Sequence, residues 1–190
     1  MVAELTDGLL LYHGSYCEVK QVDLNQCRKY KDFGQGFYLT TSKAQAEQFA
    51  LISTRKSIQA GLTASFQGYG FVSRFSFHNN DSLQKKVFPN ADVEWLHCIV
   101  GHRRPNFFHD EIRKLKEFDI IGGKIADDDT NATILAYMAG TFGMPGSTRA
   151  EEICISLLLP DRLKDQYCFR TQKALDFLEW RGTERVWMNR

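Results

Sequence analysis

The sequence offers little that would hold the chain together by covalent or metal means. Its five cysteines (Cys17, Cys27, Cys98, Cys154 and Cys168) are odd in number, scattered and without a CxxC spacing. That pattern speaks against a disulfide framework and for free thiols in a reducing compartment. Only four prolines are present, and there is no Pro/Ser-rich linker, low-complexity tract or internal repeat to divide the chain into units. An excess of either charge is missing too: 24 basic against 23 acidic side chains give a formal net charge of +1. A global pull toward nucleic acid or anionic membrane is thereby excluded, while a local patch stays open. No apolar run approaches membrane-spanning length, and the opening MVAELTDG carries acidic residues where a secretory signal would be basic. The expectation is a cytosolic protein with no membrane partner, although export by a specialised secretion system would leave no such mark.

What is present fits one α+β domain over residues 1–190. The chain is 43% apolar and 25% charged, ordinary for a globular protein long enough to bury a sizeable core. GLLLYHG at 8–14 reads as a buried strand, and GFYLTT at 36–41 as a second. Ser42 looks like the N-cap of a helix from Lys43 to about Ile58, with Ala46, Phe49, Ala50 and Ile52 on one side. GFVSRFSFH at 70–78 places Phe71, Phe75 and Phe77 at even spacing on a strand. A turn at Pro89 and Asn90 leads to a helix carrying Val93, Leu96, Ile99 and Val100. FDIIGGKIA is a further strand. DDDTNATILAYMAG opens with carboxylates suited to a helix start, and AEEICISLLL reads as a helix. DQYCFRT at 165–171 is a strand, with TQKALDFLEW as a short helix after it. Mixed β and α order favours α+β over a doubly wound parallel sheet.

Three of the strand signals each offer one chemically useful group: His13 in LYHGS, Tyr38 in FGQGFYL and Gln166 in DQYCF. Singly, each also fits a structural role. In this order and spacing they resemble the ADP-ribosyltransferase superfamily of the His-Tyr-Glu type, which includes diphtheria-like toxins and poly(ADP-ribose) polymerases. The resemblance covers most of the chain. It is closest to a bacterial branch that is catalogued only as a domain of unknown function and typically has glutamine at the third position. It implies a split β-sandwich with flanking helices and NAD as substrate, with an unidentified macromolecule, protein or nucleic acid, as ADP-ribose acceptor.

By the resemblance, His13 would bond a ribose hydroxyl and the backbone of Gly14 would hold the nicotinamide carboxamide. Tyr38 and Phe49 would wall the nicotinamide ring. Gln166 replaces the usual glutamate, keeping a hydrogen bond and losing a charge. Asp127 or Asp128, in KIADDDT, could restore that charge, or the triplet could simply decorate a helix start. Ala46 stands where the polymerases carry a serine for the nicotinamide amide; Ser15, Thr40 and Ser42 are the nearby hydroxyls that could replace it. Asp161, Arg162 and Lys164, just before the third motif, would help select the acceptor. The other reading of the same glutamine is a weak or inactive NAD or ADP-ribose binding module.

Two further clusters invite other chemistry. His97, Cys98, His102, His109, Asp110 and Glu111 match no standard zinc spacing, so no metal is expected. Arg103 and Arg104 with Phe107 and Phe108 suit a phosphate or a nucleic-acid strand, and equally a solvated helix end. FGQG lacks the GK[ST] ending of a phosphate-binding loop and does not open directly into a helix.

Overall fold

The computed structural model describes residues 2–125, 128–158 and 164–188, without the side chains of residues 128 and 129. Among the described residues seven strands form two sheets: β1 (Leu9–Ser15), β3 (Tyr69–Phe77) and β7 (Leu178–Trp187) in the order β1-β3-β7, and β2 (Phe37–Leu39), β4 (Lys85–Val87), β5 (Ile120–Lys124) and β6 (Asp165–Phe169) in the order β2-β6-β5-β4. All pairs are antiparallel except β4 with β5. The six α-helices of the described residues are α1 (Lys43–Gln59), α2 (Val93–Arg103), α3 (His109–Lys114), α4 (Asp128–Met138), α5 (Thr148–Leu157) and α6 (Gln172–Leu175). The fold is α+β.

Strand alternation assigns each face. Leu11 on β1 and Phe75 and Phe77 on β3 meet Phe37, Leu39, Ile120, Tyr167 and Phe169 of the second sheet in one buried cluster. Phe77 stands edge-on to Phe169, ring centroids 5.7 Å apart. The second sheet's other face carries Ile121 and Cys168 into a core with Phe33, Trp95, Leu96, Ile99, Ile134, Tyr137 and Cys154, under α2, α4 and α5. Helix α1 covers the opposite side of the first sheet through Ala46, Ala50 and Val72.

Most sequence expectations find their element, and Ser42 caps α1 by accepting a hydrogen bond from the Gln45 amide. Three corrections stand out. The buried face of α1 is Gln45, Ala46, Ala50, Thr54 and Ser57, whereas Phe49 is 44% exposed; the helix lies too close to the sheet for a ring to fit beneath it. The segment after the third motif is helical only over Gln172–Leu175, and Leu178 begins β7. That strand lies at a sheet edge with charged side chains outward, so it lacks the apolar alternation that marks a strand. Phe71 is only half-buried, while Val72 and Ser73, on opposite faces of β3, are both buried.

Candidate functional site

Strands β1 and β2 touch at a single bridge, Tyr12 to Thr40, with Tyr12 N–H donating to Thr40 O at 2.8 Å and Thr40 N–H to Tyr12 O at 3.0 Å. A continued antiparallel ladder would set Gly14 opposite Tyr38. Instead the His13 ring enters that place: Nδ1 donates to Tyr38 O at 2.8 Å, and the ring lies 4.5 Å from that of Phe37. One imidazole thus ends the pairing and opens the two sheets along the β2 edge. Burial lowers the His13 pKa, with the Tyr38 carbonyl opposing in part, so the neutral ring with hydrogen on Nδ1 is favoured and Nε2 keeps its lone pair.

Gly14 is required here, though by the helix. An added Cβ would lie 1.9 Å from Ala46 O and 2.7 Å from Ala50 N, and at Gly70 on β3 it would lie 2.6 Å from Ala50 O. Two glycines against two alanines let α1 rest directly on the strand backbones. Ala46 is part of that contact. Phe49 belongs to the helical turn that touches Gly14, with much of its ring outside the core.

Tyr38 lies opposite Cys168 on β6. Gln166, two residues earlier on β6, shares that face. The Tyr38 hydroxyl donates to Gly34 O at 2.7 Å and accepts from Phe33 N–H at 2.9 Å, clasping the loop before its own strand. Burial drives its pKa well up. The loop lies over the sheet because Phe33 is fully buried above Gly123, where a Cβ would come within 2.9 Å of the Phe33 ring. Gly34 turns at φ +85, with a Cβ position only 2.7 Å from the His102 ring; left-handed backbone and close packing both select glycine.

The loop delivers Asp32 to Gln166. Gln166 Nε2 donates to Asp32 Oδ2 at 3.0 Å, Arg103 Nε and Nη2 each reach Asp32 Oδ1 at 2.8 Å, and Arg103 Nη1 donates to Asn131 Oδ1 at 2.8 Å. Gln166 and Asp32 are 6% and 9% exposed. The carboxylate beside the third motif is therefore Asp32, which the sequence reading missed. No local signal could have found it, since only the pairing of β2 with β6 lays this loop over Gln166. Arg103, read as a possible phosphate or nucleic-acid contact, is instead committed to this network.

The remaining candidates separate. Thr40 Oγ1 is buried, 2.8 Å from Asp165 O and 3.0 Å from Gln45 Oε1, and it accepts from Ser42 N–H; it ties β2, α1 and β6 together. Ser15 is nearly buried beside Cys17. No hydrogen bond joins His13 to Gln166 among the described residues. Asp127, Asp161 and Arg162 lie outside the described residues. Asp128 opens α4, its side chain likewise outside them. Lys164 is exposed, its carbonyl accepting from Ile125 N–H. His97 bonds Glu151 at 2.6 Å and stacks on Phe108, and His102 donates to Cys98 O. Among the described residues no cluster of three or more His, Cys, Asp or Glu could hold a metal ion.

Residues 9–180 match the family described as "Protein of unknown function (DUF3990)". The chain belongs to that family. No curated protein matches the chain. In this DUF3990 chain the matched span holds His13, Tyr38, Asp32, Arg103 and Gln166 together, and no described helix is long and apolar enough to cross a membrane.

Proposed function

We propose that the protein is an NAD-dependent ADP-ribosyltransferase with a split β-sandwich fold, acting on a macromolecular acceptor. The observation that carries the reading is the parting of β1 and β2 at His13, where the imidazole takes the Tyr38 carbonyl, together with a half-exposed Phe49 on the helical turn that packs on Gly14. A flat heteroaromatic ring and its ribose would find exposed aromatic surface on Phe49 and a free lone pair on His13 Nε2, which has no partner among the described residues. Transfer would break the bond between the ribose anomeric carbon and nicotinamide, the electron pair leaving on the ring nitrogen. The acceptor nucleophile would then bond that carbon and release its proton. Such a reaction depends on positioning and on stabilising an oxocarbenium-like state.

A second reading, a module that binds NAD or ADP-ribose without transfer, is favoured by one observation. Gln166 is neutral and the adjacent Asp32 is paired with Arg103, so little uncompensated negative charge faces a developing cation. Titrating NAD into the wild type and Phe49→Ala tests the pocket common to both readings. The expected result is saturable binding to the wild type and about tenfold weaker binding to the variant, with an unfolding midpoint close to that of the wild type because the ring is already exposed. Equal affinities would remove Phe49 from the site. Absence of binding of NAD, and of ADP-ribose titrated in the same way, would end both readings.

A further inference from the structure

The Gln166 amide has one permitted sense. Facing Asp32 Oδ2 at 3.0 Å it must offer its NH2, because an amide oxygen there would set two acceptors against each other. Oε1 is therefore the atom turned away from Asp32, and it has no partner among the described residues. The one fully enclosed side-chain polar atom left without a partner among those residues is His102 Nε2, so Gln166 Oε1 is not fully sealed from solvent. Asp32 is itself oriented: Arg103 occupies Oδ1 through two nitrogens, Asn131 steadies Arg103, and buried Phe33 anchors the next residue.

We propose that Asp32 is a positioning residue of the candidate site, holding Gln166 so that its carbonyl oxygen, and never its NH2, meets the ligand. On the NAD reading, on which this inference rests, the glutamine then serves as a hydrogen-bond acceptor for a ribose hydroxyl, as a carboxylate oxygen would. Because Arg103 compensates Asp32, the aspartate's contribution is directional and adds no net charge.

The test is a reciprocal exchange read by NAD titration together with urea unfolding. In Asp32→Asn, Oδ1 stays on Arg103 and Nδ2 faces Gln166, which must turn over and present NH2 outward; NAD affinity falls about tenfold. In Asp32→Asn/Gln166→Glu, Nδ2 donates to one carboxylate oxygen while the other faces the ligand, and affinity returns to within about threefold of the wild type. Gln166→Glu alone sets two carboxylates ~3 Å apart, a pair that must share a proton. Its NAD affinity is high at low pH and falls as pH rises, which an interaction serving stability alone would not produce, and it supplies the test should Asp32→Asn not fold. Unchanged affinity in Asp32→Asn, no recovery in the double variant, or a flat pH profile for Gln166→Glu would overturn the inference while leaving the NAD reading in place. A wild type that does not bind NAD overturns both.

Discussion

The residue whose environment is most unusual is His102. Its Nδ1 donates to Cys98 O at 2.8 Å, its Nε2 is buried without a partner among the described residues, and burial pushes its pKa from 6.5 down to about 4. The fold thus favours the neutral ring, while the unfolded chain takes up a proton below its ordinary pKa. The contribution to stability is complete above pH 6.5 and is lost as pH falls toward 4, by at most ~3 kcal/mol. Urea unfolding of the wild type and His102→Leu at pH 7 and pH 4.5 checks this. The wild type loses more stability between the two than the variant does, and the variant keeps part of the slope because the His13 pKa is lowered too. Equal losses would show that His102 does not titrate against folding. At this scale the sequence marked His13, Tyr38 and Gln166 by their strand motifs, and it left out Asp32, whose partner lies 134 residues away in the chain.

Among the elements, α1 bears most directly on the opening. Its low-bulk face, Ala46 and Ala50, rests on Gly14 and Gly70 with no room for a methyl group. Gly14→Ala should push the helix off β1 and cost roughly 1–3 kcal/mol, the range for overpacking a tight contact, measured as a lower urea midpoint. NAD affinity should fall with it, because Phe49 rides on the displaced turn. A variant as stable as the wild type would mean that α1 adjusts freely and does not define the pocket wall. The helix itself was legible in sequence from the Ser42 cap and its length. Its buried face was not, because apolar periodicity points to Phe49 and Ile52, while close approach to a sheet selects the smallest side chains. Edge strand β7 was hidden for the opposite reason: Glu179, Arg181, Glu184 and Arg185 face solvent, and the pattern of a half-buried strand is lost beneath them.

Across the whole molecule, two sheets pack through the cluster of Leu11, Phe37, Phe75, Phe77 and Phe169, with α1 on one outer face and α2, α4 and α5 on the other. The α+β class followed from the mixed order of elements alone. The single bridge at Tyr12 and Thr40, which leaves the sheets apart beyond it, is a property of pairing between distant segments and has no signature in any one of them. The central claim is that this opening binds NAD and cleaves it at the nicotinamide bond. The most direct measurement incubates the purified wild-type chain with NAD labelled in the nicotinamide ring and follows free nicotinamide, with Tyr38→Ala alongside at matched folded fraction. Time-dependent release by the wild type, reduced at least tenfold in the variant, is the predicted result. NAD that binds yet stays intact, with and without a cell lysate as acceptor source, would contradict the transferase account and leave the binding module.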